Sequence, residues 1–160
     1  MKKMNLVEKH GIIRYCLQPK LETCFMKNNK VTEDNLIKHA QEAMEKAYAP
    51  YSNFSVGAAI LDEHNTIHAG CNVENAAYPL GVCAEGSAIS NMVLSGGTII
   101  KKILLVSTGE KLVTPCGGCR QKIKEFSNDD TQIIVLHNQK TTTFSIEELL
   151  PESFSGKFLL

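Results

Sequence analysis

Apolar positions along the chain change period several times, and each change marks an element. Leu36, Ile37, Ala40, Met44 and Ala47 recur at helical spacing and predict one amphipathic helix. Thr32 ahead of them can cap the first turn, where Glu33 and Asp34 are favoured by the helix dipole. The helix is expected to stop at Tyr48-Ala49-Pro50, because the residue before a proline is pushed out of helical geometry. From Phe54 to Leu61 the run is short, apolar and unpunctuated. The polar turn Asp62-Glu63-His64-Asn65 and the stretch from Thr66 to Cys71 complete a β-hairpin. Ala84, Ala88, Ile89, Met92 and Val93 predict a second helix over 84–94, stopped by Ser95-Gly96-Gly97. Residues 101–107 and 132–136 read as buried strands, with a third helix over 117–126 between them. A last strand near 141–144 and a short acidic helix over 146–150, stopped by Pro151, complete the series.

The order α-β-β-α-β-α-β-β-α points to an α/β protein, a three-layer sandwich with a central mixed five-stranded sheet. Right-handed crossovers would bring the starts of the second and third helices to the same edge of that sheet. Residues 1–30 read as an N-terminal extension, and residues 31–160 as a single domain.

Charge narrows the possible partners. Seventeen Lys and Arg balance seventeen Asp and Glu among 160 residues, so no positive field draws nucleic acid to the surface. The apolar runs are too short to span a bilayer, and the charged start does not read as a secretion signal. A cytoplasmic, reducing setting is expected, in which the six cysteines serve as metal ligands or buried hydrophobes, not as disulfides. Cys16, Cys24 and Cys71 read as small buried hydrophobes. His10, His39, His64 and His137 read as surface groups.

The remaining cysteines stand at helix starts. Cys83-Ala84-Glu85 opens the second helix and Pro115-Cys116-Gly117-Gly118-Cys119 the third, with Pro115 suited to a helix entry and the glycines expected to let the backbone curl round an ion. Three sulfurs would converge there and hold zinc, leaving a fourth position for water. A helix N-terminus favours the thiolate form. A closed structural site would need a fourth protein ligand, and residues 84–114 supply neither Cys nor His. His68 and Cys71, one strand earlier, stay open as alternatives. Glu85 is too close to Cys83 for easy co-ligation but is well placed to carry a proton beside the metal.

These segments resemble the zinc signature of the cytidine deaminase family. The likeness extends to the segment from Tyr48 to Ala59, to Asn72-Val73-Glu74-Asn75-Ala76-Ala77-Tyr78, and to Glu147-Glu148-Leu149-Leu150-Pro151 with Phe154. It covers residues from about Val31 to Phe154. The resemblance implies a zinc hydrolase of free cytidine and 2'-deoxycytidine in pyrimidine salvage, with one Zn2+ per subunit on Cys83, Cys116 and Cys119. It implies Glu85 as the proton shuttle between water, ring N3 and the departing amine. Asn72 and Glu74 would hold the ribose 3'-hydroxyl, two residues apart on one face of an extended segment. Phe54 would wall the base, although it reads equally as core, and Phe154 would come from a neighbouring subunit over the ring. The Ala84 amide would hold the polar edge of the substrate. A homotetramer acting on a small nucleoside is implied, with no nucleic-acid or membrane partner. The rival readings are a deaminase of another aminopyrimidine nucleoside, of the blasticidin type, and a non-catalytic zinc module that binds nucleosides.

One position departs from the resemblance. Many relatives have an arginine directly after Cys-Ala-Glu, which offsets the thiolate charge, and here the place is Gly86. Helix dipoles, Ser87 or Arg120 are the expected substitutes.

Overall fold

A computed structural model describes residues 31–156 and 159. The extension expected over 1–30, with His10, Cys16 and Cys24, lies outside the described residues. The first helix, α1 (Glu33–Met44), starts on a reciprocal cap, in which Thr32 Oγ1 accepts from the Asn35 amide while Asn35 Oδ1 accepts from the Thr32 amide at 3.0 Å. It ends at Met44, before the expected stop at Tyr48-Ala49-Pro50. Tertiary pairing, not the proline, sets the limit. Tyr48 donates to Asn72 O at 3.0 Å and accepts from the Glu74 amide at 2.8 Å, a bridge to Val73 that requires extended backbone.

The strands are β1 (Val56–Asp62), β2 (Ile67–Cys71), β3 (Ile100–Ser107), β4 (Ser127–His137) and β5 (Lys140–Phe144). They form one sheet in the order β2-β1-β3-β4-β5, with β3 and β4 parallel and the other pairs antiparallel. Three helices complete the fold: α2 (Ala84–Leu94), α3 (Gly117–Glu125) and α4 (Ile146–Leu149). Alternation along each central strand divides the core in two. Ala59, Leu61, Leu104, Val106 and Ile134 pack with Leu36 and Ala40 of α1. Ala58, Ile60, Ile103, Leu105, Ile133 and Val135 pack on the opposite face with Ala88 and Met92 of α2, Ile123 of α3 and Ile146 of α4. Both faces of the sheet are covered, which is why the strands read as unbroken apolar runs.

Two glycines set how closely helices approach the sheet. A Cβ on Gly57 would lie 1.9 Å from Ala40 O, and one on Gly70 would lie 2.3 Å from Ala88 N. Backbone therefore packs on backbone there, and the start of α2 is fixed against the hairpin. Two features escape the hydrophobic pattern. β4 begins at Ser127, ahead of the expected 132, because Asn128, Asp129 and Asp130 are exposed and polar. Thr131 fixes this early part through its hydroxyl, which donates to Ile100 O at 2.6 Å. A 3₁₀ turn over Tyr78–Leu80 leaves Tyr78 and Leu80 exposed.

The hairpin turn is clamped by a buried pair. Asp62 accepts from the His64 amide at 2.9 Å, the Thr66 amide at 2.8 Å and His68 Nε2 at 2.7 Å. Burial opposes ionisation of Asp62, but the His68 bond and the Thr66 and His64 amides outweigh it and hold the carboxyl below its ordinary 3.8. A lowered acid pKa contributes stability that is present above the ordinary value and is lost as pH falls through the folded one. Asp62→Ala is expected to lower stability at neutral pH by about 1–3 kcal/mol and to flatten the acid limb. Urea unfolding midpoints at pH 7 and pH 3 check this, and midpoints matching the parent at both would remove the clamp from the account.

Candidate active site

Two helix N-termini build the site. Cys83 is the N-cap of α2 and Cys116 that of α3. Cys119 lies in the first turn of α3, 1% exposed. The three sulfurs lie within 4.8 Å of one another. A tetrahedral zinc bonded to sulfur at ~2.3 Å needs its sulfurs about 3.8 Å apart, so small side-chain adjustments suffice. Gly117 and Gly118 do not act as expected. Neither has a positive φ, and a Cβ on either would meet nothing within 4 Å, because α3 is already regular at its first residue.

The chemistry of the cluster also fits a divalent cation. Burial pushes the Cys119 thiol up, and the Glu85 and Cys83 charges push it further. Burial likewise raises Cys83, with the Cys116 and Glu85 charges adding to the effect over the opposing Cys119 hydrogen bond. Burial opposes ionisation of Cys116 too, but hydrogen bonds from the Cys119 amide, the Cys119 thiol and the Cys83 thiol hold it below the ordinary value. Like charges in one place raise each other's cost of ionisation, and a divalent ion reverses that. His68 and Cys71 do not join the cluster: His68 is engaged by Asp62, and the Cys71 thiol points to Lys46 O at 3.6 Å. Among the described residues the donor set is three sulfurs.

Glu85 is 5% exposed and lines a cavity of about 410 Å³ together with Cys83, Ala84, Cys116, Phe54, Asn72 and Glu74. Asn72 is not free on a loop. Its Oδ1 accepts from the Val56 amide and its Nδ2 donates to Phe54 O, each at 2.8 Å, which leaves one further proton and lone pair for a ligand. The Glu74 carboxylate accepts from the Tyr51 amide at 2.8 Å, from the Ser52 amide at 3.3 Å and from the Ser52 hydroxyl. The Ser52 hydroxyl and the Tyr51 amide lead in holding Glu74 below its ordinary 4.5, so it is a carboxylate at neutral pH. Val73, between them, exchanges two backbone bonds with Val82 at 2.8 and 2.9 Å, one residue before Cys83. The segment expected to hold the sugar is thus tied directly to the start of α2.

Phe54 borders the cavity and packs so closely on Gly109 that a Cβ there would lie 2.9 Å from its ring. Phe154 is 57% exposed and is not among the residues lining this cavity, and its carbonyl accepts from Gln121 Nε2 at 3.0 Å. Ser52 is the residue that sequence reasoning missed. A hydroxyl two positions before Phe54 was the available signal.

Residues 30–136 match the cytidine and deoxycytidylate deaminase zinc-binding region. The cytidine deaminase of Sporosarcina psychrophila is 42% identical over 129 residues, covering 79% of this chain and 93% of that protein. This chain belongs to the cytidine and deoxycytidylate deaminase family. The cytidine deaminase of Mycoplasma genitalium is 39% identical, covering 78% of this chain and 97% of its own length. Crystal structures agree. The cytidine deaminase of Burkholderia pseudomallei gives a TM-score of 0.73 at 38% identity, covering 78% of this chain and 100% of that one. That of Mycobacterium tuberculosis gives 0.67 at 32%, covering 79% and 99%. The protein is a zinc-dependent hydrolytic deaminase, and Cys83, Cys116 and Cys119 are the cluster that can hold its ion.

The purified deaminase is expected to contain one zinc per chain, and Cys119→Ser to lose it on gel filtration against a weak chelator. Atomic absorption reads the outcome; full retention by the variant would point to a different donor set.

Proposed function

We propose that this deaminase converts free cytidine and 2'-deoxycytidine to uridine and 2'-deoxyuridine, consuming water and releasing ammonia, within pyrimidine salvage. The observation that carries the reading is that a buried carboxylate, Glu85, shares one cavity with the cysteine cluster and with the Asn72 and Glu74 side chains. Bound zinc lowers the pKa of a water molecule toward neutrality. Glu85 would take one proton from that water as its oxygen bonds to C4 and pass it to pyrimidine N3, then take the second and give it to the exocyclic amine as the C4–N bond breaks. The unpaired amides at the start of α2, Ala84 among them, favour negative charge developing at the base. Phe54 packs beside the base.

Asn72 and the Glu74 carboxylate receive the 3'-hydroxyl at the sugar end, where fixed negative charge also favours a free nucleoside over a phosphorylated one. That charge, together with Glu85, favours a catalytic deaminase over a zinc module that only binds. Self-association, as a homotetramer, is supported by exposed Tyr51, Val73, Tyr78 and Val82, which line a hollow shared with Asn72, Glu74 and Cys83. In that assembly Phe154 covers the base held by a neighbour. Residues 31–160 form the catalytic domain and residues 1–30 an extension. No described helix is long and apolar enough to cross a membrane, and the four described cysteines are free, consistent with a cytoplasmic enzyme.

Glu85→Gln is expected to keep fold and zinc while losing about 10²- to 10⁴-fold in turnover. Difference absorbance of cytidine and 2'-deoxycytidine, with and without chelator, provides the assay, and near-parent turnover would take Glu85 out of the reaction. Glu74→Gln is expected to raise KM about ten-fold, the cost of trading a charged acceptor for a neutral one. Unchanged KM for both nucleosides, or a preference for a different aminopyrimidine, would overturn the substrate assignment.

A further inference from the structure

Charge counting at the loaded cluster leaves a remainder. Three thiolates on a divalent ion carry one net negative charge, and Glu85, buried beside them, adds a carboxylate. Cys119 and Glu85 are buried, and charge there is unfavourable unless an opposite charge stands near it. Helix α2 holds no Lys or Arg, so the nearest cations on the two cysteine-bearing helices are Arg120, Lys122 and Lys124 of α3. Arg120, an expected substitute, keeps its charge but directs three donors to neutral acceptors: Nε donates to Pro115 O at 2.7 Å, and the terminal nitrogens donate to Leu149 O at 2.8 Å and Thr114 Oγ1 at 2.9 Å. Lys124 pairs with Glu147 at 3.2 Å.

Lys122 has no carboxylate within 4.0 Å among the described residues. Its side chain crosses to α2 and lies over Gly86, where a Cβ would meet Lys122 Nζ at 3.3 Å, Lys122 Cδ at 3.9 Å and Val82 Cγ1 at 3.5 Å. Gly86 stands three residues past Cys83 and Lys122 three past Cys119, so each lies one turn beyond a cysteine of the cluster. The ammonium rests on bare helix backbone that a larger side chain would cover.

We propose that Lys122, seated over Gly86, is a cation that offsets the thiolate charge of this deaminase and strengthens its hold on zinc. It is a positioning residue that acts through the cysteines and does not touch substrate. The proposal rests on the reading that Cys83, Cys116 and Cys119 bind zinc. Groups that act on metal ligands from outside are worth about 10- to 100-fold in affinity, and solvent around an exposed lysine places this one near ten-fold.

Equilibrium competition for zinc against a chromophoric chelator tests it, with circular dichroism as the check on folding. Lys122→Met is expected to bind zinc about ten-fold more weakly, Lys122→Arg to stay near the parent, and added salt to narrow the gap. Gly86→Ala, whose methyl displaces the ammonium, is expected to weaken zinc binding in the parent but to add nothing in a Lys122→Ala background. A folded Lys122→Met protein that competes for zinc as well as the parent overturns the proposal and leaves the zinc site standing, as does equal weakening by Lys122→Arg. If the parent takes up no zinc, both readings fall together.

Discussion

Three sulfurs and a carboxylate meet at two helix starts, and as thiolates beside a carboxylate they repel one another until a bound cation offsets their charge. The architecture forces them together. Gly70 lets α2 lie backbone-close on the hairpin, while α3 follows β3 and leads into the parallel strand β4, so both helices begin at one end of the sheet. Arg120 then straps the loop before α3 to the end of α4, which keeps Thr114 and Pro115 along the cavity wall. Stability of the folded scaffold and affinity for the ion are therefore linked, because a scaffold that holds the donors close raises their electrostatic cost until the ion arrives.

The substrate side of the cavity follows a different logic. Asn72 and Glu74 are already held by hydrogen bonds while keeping capacity for more: Asn72 ties down the entry to β1, and Glu74 organises the turn around Ser52. Side chains held in this way lose little freedom when a ligand arrives, which is the usual route to tight orientation of a small polar molecule. The same bonds explain why the turn between α1 and β1 adopts extended pairing at Tyr48 instead of prolonging the helix.

Much of this could be read from the chain. Doubly buried strands announce themselves as apolar runs such as Ile103–Val106, and cysteines beside helix-opening residues carry their own chemical meaning. Contacts of high sequence separation were illegible, because no local pattern records them. Asn72 reaches Val56, Glu74 reaches Ser52, and Lys122 lies over Gly86. The glycines of Pro115-Cys116-Gly117-Gly118-Cys119 misled for a related reason: glycine permits unusual backbone but does not require it, and α3 is regular from Gly117 onward.

Val73 is a splice between otherwise separate parts. Its backbone joins Tyr48 on one side and Val82 on the other, with Asn72 and Glu74 as its two neighbours and Cys83 next to Val82. A shift of Cys83 on loss of the ion would travel through two peptide units to Asn72 and Glu74. The cysteine cluster and the Asn72–Glu74 segment are thus tied by backbone into one mechanical unit.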